Sequence, residues 1–275
     1  MNRVEQVLDE LDPGLSVRLR ALKMRLRHDP DWRLIQDLMP PGGVGVDVGA
    51  NRGVYTSLMS ARAGAGGQVH AIEPLPAYGE RLRTIARRRG NVSVHACAVS
   101  DQPGSGVLRI PVHRGRRIDS LATLEPGSSG NQPDAGDGDG DREDTCVVPV
   151  RTLDDLLAGE RPVALLKCDV EGHEQQVLHG AARILGQDRP RVFIEIEQRH
   201  RKDPIGNTFE LFTDAGYQGW FVSKGGLRPL AEFDVDRHQL GFVDRAFIPY
   251  EMPAGYIIDF LFCPPGAPPP GWPTG

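Results

Sequence analysis

Cysteine is scarce in this sequence: four in 275 residues, Cys97, Cys146, Cys168 and Cys263, with no C-x-x-C pair among them. Cys97, Cys168 and Cys263 lie in apolar, strand-like runs, where a buried free thiol is common. A disulfide scaffold or a zinc site is therefore excluded as the organising device, and a reducing, cytoplasmic setting is expected. No stretch approaches the roughly 20 apolar residues of a membrane span. Residues 1–10 lack the apolar core of a secretory signal. Charge of one sign is also in short supply: the net charge is −5, which does not argue for nucleic acid as the main partner. Arg81, Arg83, Arg87, Arg88 and Arg89 read as a solvated helix face. No internal repeat is visible. The expectation is a soluble, intracellular protein with neither nucleic acid nor membrane among its partners.

What is present is enough for one large α/β domain: a hydrophobic fraction of 39% spread over a strand–helix rhythm. Residues 1–38 predict a helical extension. Val4, Val7, Leu8 and Leu11, then Leu19, Leu22 and Met24, recur at helical spacing, with a break at Pro13-Gly14. From residue 39 to 265 strands and helices alternate. Strands are predicted over 44–48, 68–73, 92–99, 163–169, 192–197, 217–222 and 256–263, and helices over 53–63, 76–88, 174–185 and 209–215. This rhythm implies a mostly parallel sheet with helices on both faces and right-handed crossovers.

Two segments interrupt the rhythm and a Pro-rich tail, 266–275, ends the chain. Residues 125–144, rich in Gly, Asp, Ser and Pro, predict a flexible loop. Within it, Asp137-Gly138-Asp139-Gly140-Asp141 resembles the start of a calcium loop. Arg142 stands where that loop needs its glycine and Val148 where it needs its glutamate, so a solvated linker is expected instead. Residues 223–251 form an insertion, read as a lid over the site or a dimer contact.

In an open parallel sheet, ligands bind beyond the C-terminal strand ends. Acids fall there in register: Asp47, Glu73, Asp101 after Ser100, Asp169 with Glu171, and Glu195 with Glu197. Gly49 and Gly53 permit a tight turn and close approach of a ligand, and the helix start that follows can take a carboxylate. Asp47 can accept from an ammonium group, and Glu73 from ribose hydroxyls. The G-x-G-x-x-G spacing that a dinucleotide pyrophosphate needs is absent. An amino acid joined to a nucleoside uses all of these features, and a cationic sulfonium suits an acidic rim. S-adenosylmethionine is the expected cofactor, with Asp47, Gly49, Asn51, Gly53, Glu73, Ser100, Asp101 and Asp169 as its candidate contacts. For Asn51 the alternative is bracing the turn, and for Asp101 a surface turn.

These residues also carry a resemblance. Asp47-Val48-Gly49-Ala50-Asn51-Arg52-Gly53-Val54-Tyr55-Thr56, Ile72-Glu73-Pro74, the block Leu165-Leu166-Lys167-Cys168-Asp169-Val170-Glu171-Gly172-His173-Glu174, and Val177-Leu178-His179-Gly180-Ala181 resemble the FkbM family of methyltransferases. Phe193-Ile194-Glu195 and Asp259-Phe260-Leu261-Phe262 extend the match to about residues 40–263. The resemblance implies a Rossmann-like class I methyltransferase fold with a seven-stranded sheet. It implies S-adenosylmethionine as methyl donor and hydroxyl acceptors on sugars, oligosaccharides or polyketide-like natural products. The 125–144 loop departs from the shorter family pattern, which leaves the acceptor open.

A sulfonium is a good leaving group, so the acceptor oxygen mainly needs alignment and a base or metal. His173 is the first candidate for general base, since its pKa lies near neutrality; the alternative is a capping or exposed histidine. Asp169, Glu171 and Glu195 complete the candidate catalytic set. Asp169 and Glu195 are candidates to share Mg2+; the alternative is carboxylates held by hydrogen bonds and basic neighbours. Glu171 alternatively bonds to backbone N–H groups at the helix start. Ser120 is a candidate to reach the site or a turn serine. His200 and Tyr250 are candidates for an acceptor pocket. A homodimer is expected from the sheet edge and the apolar C-terminal region. The readings weighed against the methyltransferase are a non-catalytic binding module and a nicotinamide-dependent oxidoreductase.

Overall fold

The structure, a computed structural model, describes residues 12–26, 30–113, 115–125, 142–224, 226–242, 253–267 and 269. The expectations for residues 1–11, for most of the 125–144 loop, for Tyr250 and for the end of the Pro-rich tail lie outside these residues.

The main sheet grows outward from β1 (Val44–Val48), whose five residues are all buried. On one side lie β2 (Gln68–Ile72) and then β3 (Val92–His95), on the other β8 (Val163–Cys168) and then β9 (Arg191–Glu195), all parallel to β1. Beyond β9 the antiparallel β12 (Asp259–Cys263) precedes β10 (Gln218–Ser223) and the edge strand β11 (Gly226–Pro229). The order is β11-β10-β12-β9-β8-β1-β2-β3. Seven of these strands match those expected; the eighth, β11, comes from the insertion at 223–251. That insertion therefore extends the sheet in its first part, and its Gln239 ties it to the sheet through bonds to the Ile196 and Ile257 carbonyls, both at 2.8 Å.

Alternation along the strands builds a core on each face. Val46, Val48, Ile194 and Phe260 pack with Leu153 of α5 (Leu153–Leu156), Val177 and Leu178 of α6 (Glu174–His179) and Phe212 of α7 (Gly206–Asp214). On the opposite face, Leu165, Phe193 and Leu261 pack with Leu34 and Leu38 of α2 (Pro30–Leu38) and Met59 of α3 (Val54–Ala63). On that same face α1 (Pro13–Leu26) and α4 (Pro76–Arg89) meet through Val17, Leu82 and Ile85 around Ala71. The expected helical extension thus appears as two helices, and Pro13 opens the first of them, a position where its missing N–H costs nothing.

The strand expected over 92–99 is two strands in different sheets. β3 stays in the main sheet, while β4 (Ala98–Val99) joins a second sheet of order β4-β7-β5-β6, with β7 (Arg142–Arg151), β5 (Gly104–His113) and β6 (Arg116–Arg117). β5 and β7 pair antiparallel from Gly104↔Val150 to Val112↔Arg142. Leu108, Ile110 and Val112 of β5 and Val148 and Val150 of β7 point inward, and Val107 and Val147 outward. The helix expected over 174–185 is interrupted at Gly180, which packs closely against the Ser100 carbonyl, and the chain continues as a π-helical turn over Ile184–Asp188.

Candidate functional site

A cleft opens where the C-terminal ends of β1, β2 and β8 meet the second sheet. Val48, Gly49, Asn51, Glu73, Asp169 and His173 line one side, and Leu108, Ala122 and Leu124 the other. It is open to solvent, with about 590 Å³ of empty space when its mouth is included.

The chain leaves β1 through left-handed backbone at Gly49 (φ 73), Asn51 (φ 48) and Gly53 (φ 82). At Gly49 a Cβ would run into the Asp169 carbonyl, so the turn lies flat against the loop after β8. The Gly49 and Ala50 amides donate to the Ile72 carbonyl at 3.1 and 3.0 Å, which pins the turn to the end of β2. One residue on, Glu73 receives the Asn51 amide on Oε2 and the Leu75 amide on Oε1, both at 2.8 Å. The carboxylate is thus held by both oxygens with lone pairs left for a ligand's hydroxyls. Burial outweighs those two hydrogen bonds and pushes its pKa up to about 7.

Asp47 lies beneath this turn and is fully buried. Thr56 Oγ1 donates to its Oδ2 at 2.6 Å. Its Oδ1 has no hydrogen bond, and Lys167 Nζ stands 3.8 Å away. The pairing follows from sheet register, which sets Asp47 directly beside Lys167 on the same face. Burial raises the Asp47 pKa, opposed by Lys167 and by the Thr56 hydrogen bond. Asp47 accordingly braces the turn from below instead of reaching into the cleft. Lys167 bonds to Asp169 Oδ2 at 3.1 Å and lies 5.0 Å from the centre of the Tyr55 ring. Burial alone would lower its pKa, but Asp169, Asp47 and Glu195 hold the ammonium above its ordinary value.

Past β8 the backbone is left-handed again at Glu171 (φ 54) and Gly172 (φ 99). Two of the three non-glycine residues with positive φ among the described residues, Asn51 and Glu171, line the cleft. Such conformations cost of order 1 kcal/mol and concentrate at functional sites. Asp169, Glu171 and Glu195 bring one carboxylate oxygen each within 4.8 Å of one another. Burial first, and then Asp169, pushes the Glu171 and Glu195 carboxyls well up. His200 Nε2 stands 3.3 Å from Glu171 Oε2 and Lys167 Nζ 3.1 Å from Asp169 Oδ2, so the cluster has basic neighbours. Glu197 is taken up elsewhere, by Arg199 and by the Tyr256 hydroxyl at 2.7 Å.

His173 stands at the N-terminal end of α6, makes no side-chain capping bond there, and is buried at the cleft wall. Its Nδ1 lies 2.6 Å from Glu125 Oε1 and its Nε2 2.9 Å from Ser100 Oγ. Ser100 Oγ is also 2.9 Å from Asp101 Oδ1. The hydrogen bond with His173 lowers the Glu125 pKa, against the effect of burial. Ser100 spends its one hydroxyl hydrogen on Asp101 and so accepts from Nε2, while the Glu125 carboxylate orients the ring through Nδ1.

The structure thus gathers Gly49, Asn51, Glu73, Asp169, Glu171 and His173 at one cleft, with Ser120 on the opposite wall. Gly53 caps α3 just behind the turn, and Glu195 backs Asp169. Asp101 is exposed and holds Ser100; neither lines the cleft. Three partners were not anticipated as site residues. Lys167 had a signal, since Lys-x-Asp on a strand places both side chains on one face. Glu125 and Thr56 had none, because each reaches its partner only through the tertiary fold.

Residues 47–218, well over half of the chain, match the family model of the methyltransferase FkbM domain. No curated protein matches the chain. Among solved structures, the chain is similar to the methyltransferase FkbM from Methylobacillus flagellatus KT at 17% identity and TM-score 0.47, covering 94% of this chain and 57% of that one. It is similar to Aeropyrum pernix fibrillarin, solved with natively bound S-adenosyl-L-methionine, at 14% identity and TM-score 0.44, covering 82% of this chain and 68% of that one. A SAM-dependent methyltransferase from Aquifex aeolicus matches at 14% identity and TM-score 0.40, over 92% of this chain and 98% of that one. At these identities and TM-scores no functional argument rests on the solved structures. The strand order and the family match stand by themselves: the fold is the Rossmann-like class I methyltransferase fold, enlarged by β11 and the second sheet, and the chain belongs to the FkbM methyltransferase family.

Proposed function

We propose that the protein is an S-adenosylmethionine-dependent O-methyltransferase acting on a hydroxyl of a sugar, oligosaccharide or polyketide-like small molecule. The observation that carries the reading is the pairing of a flat glycine turn with Glu73, whose carboxylate is fixed by the Asn51 and Leu75 amides and faces the cleft. The cleft residues fit the cofactor. Gly49 and Asn51 give it a bare backbone to lie against, Glu73 offers acceptors for two ribose hydroxyls, and the acidic wall at Asp169 and Glu171 favours a sulfonium. When bound, the cofactor supplies an electrophilic methyl group.

The chain's own part is to place the acceptor and take its proton. In this reading, Glu125 holds Nδ1 of His173 as the N–H tautomer, which leaves Nε2 as the acceptor nitrogen. With the Ser100 side chain rotated away, Nε2 opens to the cleft that His173 lines and takes the proton of the incoming hydroxyl. Asp169 and Glu171, on the same wall as His173, orient the hydroxyl. A second arrangement has one observation in its favour: the three clustered oxygens of Asp169, Glu171 and Glu195 suit a hard divalent ion such as Mg2+. Bound there, the ion would lower the pKa of a nearby hydroxyl.

Methyl transfer from labelled S-adenosylmethionine to a panel of sugars and polyketide alcohols tests the reading, with the product located by mass spectrometry. Methylation of hydroxyls is the expected result. Methylation of nitrogen or carbon alone would overturn the O-transfer reading, and failure to bind the cofactor would overturn the whole. Activity lost to a chelator and restored by Mg2+ would assign the ion; unchanged activity would assign the acid cluster to Lys167 and His200.

A further inference from the structure

The first helix packs inside out. Against α3 and α4, α1 buries the small residues Gly14, Ser16 and Val17. Its leucines face outward: Leu15, Leu19, Leu22 and Leu26 are 44%, 41%, 47% and 69% exposed. Four of the seven exposed large hydrophobic side chains among the described residues therefore sit on this one helix. Steps of four, three and four residues align them in a single stripe along the helix. Arg18, Lys23 and Arg25 are exposed beside the stripe, and the helix contains no acid. Arg89 of α4 adds a further positive charge next to Arg18.

We propose that this face of α1 docks reversibly on an anionic lipid surface, with the leucines entering the interface and the arginines reaching the headgroups. Area and charge select this occupant. Fourteen residues make a helix of about 21 Å, and a stripe about 10 Å wide along it offers roughly 200 Å². A stable protein–protein contact needs about 800 Å² per partner. A second copy of the chain would also bring one basic helix, without an acid of its own, against another. A lipid interface requires neither a large area nor a shaped partner, and anionic headgroups answer the positive charge.

Co-sedimentation of the full chain with vesicles tests this, using phosphatidylcholine alone and phosphatidylcholine mixed with phosphatidylglycerol. The protein should sediment with the anionic vesicles, remain in solution with the neutral ones, and be released by high salt. Arg18→Gln with Arg25→Gln should weaken binding about 30-fold. Leu19→Ser with Leu22→Ser should reduce it to background, with the circular dichroism spectrum unchanged because both side chains are exposed. The proposal is overturned if the wild-type protein ignores anionic vesicles, if the arginine pair leaves binding undiminished, or if binding survives the leucine pair. It is equally overturned if light scattering shows an oligomer that the leucine pair dissociates, since the face would then belong to a protein contact.

Discussion

Glu73 should make cofactor affinity rise with pH. In the free protein burial holds its pKa near 7, above the ordinary 4.5. Only the ionised carboxylate can accept two ribose hydroxyls while also receiving the Asn51 and Leu75 amides. Binding must therefore select the ionised form. With a pKa of about 7, about one molecule in eleven is ionised at pH 6 and about ten in eleven at pH 8. The dissociation constant for S-adenosylmethionine should consequently be about tenfold weaker at pH 6 than at pH 8, or about 1.4 kcal/mol. Calorimetric titration at pH 6, 7 and 8, repeated in buffers of different ionisation enthalpy, reads both the affinity and the proton count. About half a proton per ligand should be released at pH 7. Glu73→Gln should bind more weakly and with no pH dependence. A dissociation constant that varies less than twofold from pH 6 to 8 in the wild-type protein, or proton uptake on binding, would refute the reasoning. The same shift has a stability consequence. Because the folded pKa lies above the unfolded one, Glu73's contribution to stability is fully present below pH 4.5 and lost as the pH rises through 7. The loss is about 3 kcal/mol, so the wild-type melting temperature should fall from pH 5 to pH 8 by more than that of Glu73→Gln.

Three other substitutions probe the rest of the site. His173→Ala should keep cofactor binding and lower kcat by about 10² to 10³, measured as turnover at saturating cofactor; full activity would move the base elsewhere. Glu125→Gln should lower kcat about tenfold with an unchanged KM for the cofactor and a shifted pH–rate profile, because it acts through the imidazole. Lys167→Met leaves Asp47 and Asp169 without their shared cation and should destabilise the protein by about 3–5 kcal/mol in urea unfolding. A loss below 1 kcal/mol would mean that the buried acids are neutral without it.

The parallel half of the sheet could be read from short apolar runs ending in acids, because a strand buried on both faces must be nearly continuous in apolar residues. Glu73 and Gly49 were legible for the same reason: each follows a strand directly. The second sheet was less visible. Leu108, Ile110 and Val112 alternate with Arg109 and Pro111 in the period of a half-buried strand, but their partner strand lies beyond a long polar segment. Asp47 shows where position along the chain misleads. It sits beside the turn in sequence, yet strand alternation turns its side chain down toward Thr56 and Lys167. Glu125 lies 48 residues from His173, and only the packing of the second sheet brings them together.

The most direct test of the account is a crystal structure with S-adenosylhomocysteine bound. Its ribose hydroxyls should lie within about 3 Å of Glu73 Oε1 and Oε2, with the amino-acid end over the turn at Gly49 and Asn51 and the sulfur facing Asp169 and His173. A ligand bound outside this cleft, or one whose ribose does not meet Glu73, would contradict it.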